Sequence, residues 1–311
     1  MNSILTIAIP TKDRHHLLED SLVSLINQDC FNQVEIVICD NSLCNDTEEM
    51  ISRFKSYKNI SYIRNQHLLP IDKNMIKVGM LSKSKYFLWL GDDDILLDSA
   101  LPIILQAINT QNFDFCLLKA KNLSSDMTEE LSVTLKDIRE DETYNNPVDF
   151  FKTHVFNMPF GTLLVNTNLF ISVCQVQRFN GTSHAYSGLV FEYLANKWRN
   201  KGSVNVLVLS IPLVGLRCVE KSWISTATRI FLKEVPEWFY LLDEIYQTNA
   251  RKIAKSYLMS KFSKHELIQM RHKYNMSAFN YKDDLFFASN SQKLKYLIIC
   301  SIPKILLSKV W

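Results

Sequence analysis

The chain has 311 residues, enough for one large α/β domain or two modest ones. Its 47% apolar content can fill a substantial core, and only 7 Gly and 8 Pro argue against long disordered stretches. With 35 basic and 32 acidic residues the net charge is +3, which gives no electrostatic footprint for a nucleic-acid partner.

Residues 4–10 (ILTIAIP) form a continuous, β-branched apolar run, the pattern of a strand buried on both faces. A polar turn, Thr11-Lys12-Asp13-Arg14, leads into a helical pattern carried by Leu17, Leu18, Ser21, Leu22, Leu25 and Ile26. Residues 34–39 (VEIVIC) predict a second buried strand ending in Asp40-Asn41-Ser42. A helix follows from about Asp46, with Glu48 and Glu49 suiting its N-terminal dipole. Residues 60–63 predict a third strand, 72–81 a helix, and 86–90 (YFLWL) a fourth strand running into Gly91-Asp92-Asp93-Asp94. Strands alternating with helices imply a Rossmann-like, mostly parallel sheet with helices on both faces.

The second half is less regular. Residues 113–120, 160–166 and 204–212 predict strands, and 124–146 reads as a polar insertion or mobile loop. A helix is expected around 167–174. A Gly-bounded loop, 181–188 (GTSHAYSG), then opens a helix over 189–198, and from about Thr228 the chain reads as helical and basic. Seven scattered cysteines without CxxC spacing (Cys30, Cys39, Cys44, Cys116, Cys174, Cys218 and Cys300) are expected as reduced thiols of a cytosolic protein rather than a zinc site. No signal-peptide pattern is read in 3–10, and no run of about 20 apolar residues predicts a spanning helix.

In doubly wound sheets ligands bind beyond the carboxyl ends of the strands, and three such ends are polar here: 11–14, 40–42 and 92–94. Three adjacent aspartates oppose one another's ionisation, and Mg²⁺ or Mn²⁺ completed by substrate phosphates relieves that. The alternative is a solvated turn or the cap of a helix beginning near Ile95. Asp40 is placed to accept hydrogen bonds from a base or ribose, or is a turn residue. Arg14 offers a planar fork to phosphate, or an ion pair to Asp13 or Glu19. No GxGxxG, GxxxxGK[ST] or GxSxG motif is present, which speaks against a dehydrogenase, an ATPase or an α/β-hydrolase.

Taken together, Ile9-Pro10-Thr11-Lys12-Asp13-Arg14, Gln28, residues 35–42 with Asp46-Thr47, Asp72-Lys73-Asn74, and residues 86–94 closely resemble the GT-A fold family 2 glycosyltransferases over roughly the first 110 residues. Within that family the chain is similar to bacterial transferases of O-antigen or capsule synthesis, abequosyltransferase-like proteins included. The resemblance implies a nucleotide-sugar donor (UDP-, CDP-, GDP- or dTDP-linked) bordered by Pro10, Thr11 and Arg14. Asp40 and Asn41 would lie at the base, and Asp72 and Asn74 around the donor sugar. It implies Asp94 as the principal Mn²⁺ or Mg²⁺ ligand, Asp92 near the ribose or metal, and Asp93 as an indirect ligand or loop holder. Lys12-Asp13 replaces the family's usual Tyr-Asn, and Leu68-Leu69-Pro70 its Asn-x-Gly.

The family's catalytic Asp, at a helix start in the second half, has no counterpart in residues 181–186. His184 is the candidate base there, its ordinary pKa lying near working pH, with Glu192 a weaker one; otherwise His184 contacts the acceptor or a phosphate, or is a structural loop histidine. The alternatives are a nucleotide-sugar-binding protein without catalysis and a metal-dependent nucleotidyltransferase. The latter expects a glycine-rich basic loop that 11–18 does not supply. Residues 293–311 (KLKYLIICSIPKILLSKVW) suit either a core helix or one lying in the headgroup layer, with Tyr296 and Trp311 as anchors. The expected organisation is a nucleotide-sugar-binding half (1–118), an acceptor half (119–215) and a helical extension (216–311). The expected acceptor is a lipid-linked glycan at the inner face of the plasma membrane.

Overall fold

In the computed structural model of the chain, residues 3–218, 226–274, 276–278 and 285–303 are described. They form two compact units, Met1–Val176 with Leu189–Val219, and Gln177–Gly188 with Glu220–Trp311.

The first unit begins as the periodicity predicts. Strands β1 (Leu5–Thr11), β2 (Glu35–Asp40), β3 (Ile60–Arg64) and β4 (Tyr86–Trp89) alternate with helices α1 (His15–Ile26), α2 (Asp46–Ser52) and α3 (Ile71–Met80). These strands are parallel, in the order β3-β2-β1-β4. Every residue of β4 and nearly every one of β1 is buried, which is why both read as unbroken apolar runs. Leu5, Ile7 and Ile9 pack with Leu18, Leu22 and Leu25 of α1 in one core. Across the sheet, Phe87 and Trp89 meet Phe170 edge to face, at 5.1 and 5.2 Å between ring centres.

Beyond β4 the sheet is mixed. The remaining elements are β5 (Ile95–Leu96), α4 (Ala100–Thr110), β6 (Phe115–Leu123), β7 (Glu130–Val133), β8 (Glu142–Tyr144), α5 (Pro147–His154), β9 (Leu163–Asn166), α6 (Thr167–Ile171), α7 (Ala185–Lys201) and β10 (Val206–Arg217). The order continues β4-β9-β6-β10-β5, with β9 antiparallel to both β4 and β6, and β6 parallel to β10. Three expectations change. The polar segment 124–146 is not a bare loop, since β7 and β8 within it pair with β6 and β10. No helix begins near Ile95: β5 intervenes and α4 starts at Ala100 with Ser99 at its N-cap, so the acidic run is not that helix's cap. The last strand does not stop at Pro212 but runs to Arg217, because register shifts on both sides of Pro212 absorb its missing N–H.

In the second unit α8 (Ala227–Arg229) passes through a π-turn (Ile230–Glu234) into α9 (Val235–Leu241), followed by α10 (Glu244–Lys261), α11 (Lys264–Lys273) and α12 (Asn290–Ser301). Asp243, Ser263 and Ser289 cap the last three, Ser289 in a capping box with Gln292. Leu258, Phe262, Leu267, Met270 and Tyr296 share its core. Tyr296 is therefore not an interfacial anchor: it is fully buried and its hydroxyl donates to the Ser277 carbonyl at 2.9 Å. Lys304–Trp311 lies outside the described residues.

Candidate active site

Parallel pairing in register is what gathers the polar strand ends. β1 lies between β2 and β4, with Thr11 opposite Asp40, Pro10 opposite Cys39, and Ala8 opposite Trp89. The loops beyond are then stitched together. The Asn41 amide donates to the Thr11 carbonyl at 2.9 Å, and the Asp13 amide to Ser42 Oγ at 2.7 Å, with Asp13 itself at φ 54°.

The acidic turn after β4 is buried rather than solvated, with Asp92 5% and Asp94 6% exposed. Arg14 takes neither of its expected local partners; Glu19 pairs with Arg53 instead. Its guanidinium spreads across the turn, Nη1 on Asp92 Oδ1 and Nη2 on Asp93 Oδ2, both at 2.8 Å. Thr11 Oγ1 donates to the other Asp92 oxygen at 2.8 Å. Burial pushes the Asp92 carboxyl up to about 6, against the pull of Arg14 and with the help of Asp93. The same two carboxylates raise the Arg14 pKa, although burial alone would lower it.

Asp94 sits differently. Its Oδ1 accepts the Arg217 backbone amide at 3.1 Å. Its Oδ2 lies so close to the backbone of Gly91 and Gly161 that a Cβ on either would strike it, at 2.8 Å in the case of Gly161, which also holds φ +99°. Arg217 ties the turn down from β10. Its Nε donates to the Asp93 carbonyl (3.0 Å), Nη1 to the Ser125 carbonyl (3.0 Å) and Nη2 to Asp20 Oδ2 (2.8 Å). No group of three or more His, Cys, Asp or Glu converges as a complete metal cage among the described residues.

Asp40 is fully buried and held from both sides. One oxygen accepts the Ser42 amide (2.8 Å) and hydroxyl (2.5 Å), and the other accepts the Tyr62 hydroxyl at 2.7 Å, which with burial pushes the Tyr62 pKa up. Asn41 clips the 65–74 segment, bonding both the amide and the carbonyl of Leu69 at 2.9 Å. Asn65 joins Asn41 Oδ1 (3.0 Å) to Asn74 Oδ1 (2.8 Å), and Asn74 Nδ2 closes the chain on the Cys39 carbonyl at 3.1 Å. Asp72, with Asn74, is buried on the first turn of α3.

His184 belongs to the second unit, immediately before α7, which starts earlier than expected, at Ala185. Its Nδ1 lies 3.2 Å from the Thr182 carbonyl, an acceptor only, so Nδ1 carries the proton and Nε2 is the basic nitrogen. Burial pushes its pKa below the ordinary histidine value, opposed by Thr182 and Glu234. Ser183, before it, has φ 59° and donates through Oγ to Glu234 Oε2 at 2.5 Å. Glu192 is buried in α7 within the first unit.

Sequence reasoning missed Arg217, Asn65, Tyr62 and Glu234. Arg217 was hidden by reading Pro212 as a strand end. Asn65 follows a strand as Asn41 does and carried a usable signal, whereas Glu234 carried none, being about 50 residues from its partner.

Residues 6–160 match the family model described as glycosyl transferase family 2. The chain is 32% identical over 152 residues to abequosyltransferase RfbV of Salmonella typhimurium, covering 47% of this chain and 45% of that protein. It is 32% identical over 130 residues to the GalNAc(5)-diNAcBac-PP-undecaprenol beta-1,3-glucosyltransferase of Campylobacter jejuni, covering 40% of this chain and 42% of that one. The match thus spans a little under half the length of these curated relatives. In fold the chain is similar to the crystal structure of S. aureus TarS 1-349, with TM-score 0.63, 12% identity and coverage of 99% of this chain and 92% of that one. The same protein in complex with UDP-GlcNAc gives TM-score 0.56 at 12% identity, covering 95% and 79%.

Proposed function

From the premise that this chain belongs to glycosyl transferase family 2, we propose that it moves a sugar from a nucleoside-diphosphate sugar to a hydroxyl of a growing bacterial surface glycan, O-antigen or capsule. One observation carries the donor side: three parallel strand ends converge on a buried acidic turn whose first two carboxylates are already matched by one arginine. Asp40, held between Tyr62 and Ser42, anchors the strand end against which the base is bound. Pro10, Thr11 and Asp92 border the nucleotide, and the Asn41–Asn65–Asn74 chain holds Asp72 and its turn beside the donor sugar.

The donor set suits a divalent cation at Asp94: one hard carboxylate cradled against glycine backbone, to be completed by diphosphate oxygens and water. Mn²⁺ or Mg²⁺ there would neutralise the charge that develops on the leaving diphosphate. Asp92, with both oxygens held by Arg14 and Thr11, serves the nucleotide and the fork, and Asp93 holds the turn.

His184 is the acceptor-side base. Neutral near pH 7, its Nε2 takes the acceptor hydroxyl proton as that oxygen bonds to the anomeric carbon. The bond from that carbon to the diphosphate oxygen breaks, and the electron pair leaves with the nucleoside diphosphate. The relative named for a sugar chain on undecaprenyl diphosphate supports a lipid-linked acceptor. No described helix is long and apolar enough to cross a membrane. Leu294 and Ile298, 60% and 52% exposed one turn apart on α12 beside Lys295, support contact with the cytoplasmic membrane surface.

The test is an assay of UDP-, CDP-, GDP- and dTDP-sugars with octyl glycosides and Mn²⁺. One donor is expected to yield nucleoside diphosphate and extended glycoside, and His184→Gln to keep donor binding while losing transfer. Full transfer by His184→Gln would remove the base, and no donor binding by the wild-type chain would remove the function.

A further inference from the structure

Transfer as proposed requires a basic nitrogen aimed at the acceptor, and the second unit contains a carboxylate with no part in that scheme so far. Glu234 ends the π-turn Ile230–Glu234, a backbone irregularity that helices carry at a cost, frequently beside functional residues. It is buried, one oxygen accepting Arg229 Nε at 3.1 Å and the other Ser183 Oγ at 2.5 Å.

The residue it grips is the one that needs holding. Ser183 at φ 59° is a non-glycine residue in the left-handed region, a conformation that persists only where its surroundings impose it. That turn lets the His184 ring fold back on the Thr182 carbonyl at 3.2 Å, while Thr182 Oγ1 is tied to the Phe179 carbonyl at 2.6 Å. The His184 carbonyl then accepts the Gly188 amide at 3.0 Å as α7 begins.

We propose that Glu234 is the positioning carboxylate of the acceptor side: through Ser183 Oγ it holds the 182–184 turn that fixes His184 with Nδ1 protonated and Nε2 as the basic nitrogen. The proposal rests on His184 as the base. It supplies, from 51 residues further along the chain, the carboxylate that residues 181–186 do not contain. Glu234 does not touch substrate; it acts through Ser183. Arg229 Nε, donating to its other oxygen, orients it so that Oε2 faces the Ser183 hydroxyl.

The experiment is imidazole ¹⁵N NMR of the full chain, with the His184 signals assigned through His184→Gln, together with kcat and donor KM for the donor–glycoside pair the wild-type chain turns over. Wild type is expected to show a single Nδ1–H tautomer. Ser183→Ala and Glu234→Ala break one hydrogen bond from its two ends. Each is expected to give a mixed-tautomer signal and about a 100-fold loss of kcat with donor KM unchanged, the double variant being no worse than either. Ser183→Gly, which adopts positive φ without a tether, is expected to recover part of both. An unchanged tautomer and kcat in Ser183→Ala would overturn the proposal, even where Glu234→Ala fails to fold. If His184→Gln retains transfer, it is the base assignment that fails instead.

Discussion

The guanidinium of Arg14 reaches two aspartates at 2.8 Å each, one of them almost fully buried. Removing it leaves Asp92, among the described residues, with Thr11 and a backbone amide of Lys12 for partners. Arg14→Met is expected to destabilise the chain by about 1–3 kcal/mol, read as a lower urea midpoint at unchanged slope. Arg14→Lys should recover little, since one ammonium cannot span two carboxylates as a planar fork does. A midpoint for Arg14→Met equal to the wild type's would show that the pair contributes nothing. Gly161 is the second sensitive position. A methyl there meets both a φ of +99° and the Asp94 carboxylate, so Gly161→Ala is expected to cost about 1–3 kcal/mol and to weaken any metal-dependent donor binding. Retention of wild-type donor affinity would mean that Asp94 has room to move.

At the scale of elements, α5 carries a buried histidine, packed against β8, whose protonation opposes folding. His154 Nε2 lies 2.9 Å from Tyr144 Oη and 3.5 Å from Glu142 Oε2, while its Nδ1 has no hydrogen-bond partner among the described residues. Burial pushes its pKa below the ordinary value of about 6.5, with Glu142 opposing. As pH falls from 7.5 to 5.5 the unfolded chain therefore binds the proton first. The stability present above the unfolded pKa is lost through that window. His154→Phe is expected to lose less stability than wild type between urea titrations at those two pH values; equal losses would refute the assignment. Elements of this kind were the hardest to read from sequence. Strands β1, β2 and β4 announced themselves because burial on both faces keeps most of their residues apolar, with the polar ones mainly at strand ends. Strands β7 and β8 lie in a polar, charged segment and owe their existence to pairing with β6 and β10, which leaves no local period. Arg217 was concealed for a related reason, a bulge that lets a strand continue past proline. The candidate site followed the same division. Thr11, Asp40 and the three aspartates are local continuations of legible strands, whereas Glu234 finds Ser183 only through the fold of the second unit.

For the whole molecule, near-neutral charge and a well-filled core left composition silent about chemistry. Function entered through where the parallel half of the sheet places its strand ends. The acidic turn and the parallel strand ends lie in the first unit, and His184, Ser183 and Glu234 in the second. The account stands or falls with the donor. Isothermal titration of UDP-, CDP-, GDP- and dTDP-sugars into the wild-type and Asp94→Asn chains, each with and without Mn²⁺, measures it directly. One donor is expected to bind the wild-type chain at least about tenfold more tightly with Mn²⁺, a gain of about 1.4 kcal/mol, and to show no such gain in Asp94→Asn. An equal Mn²⁺ effect in both chains, or no donor bound by either, would contradict it.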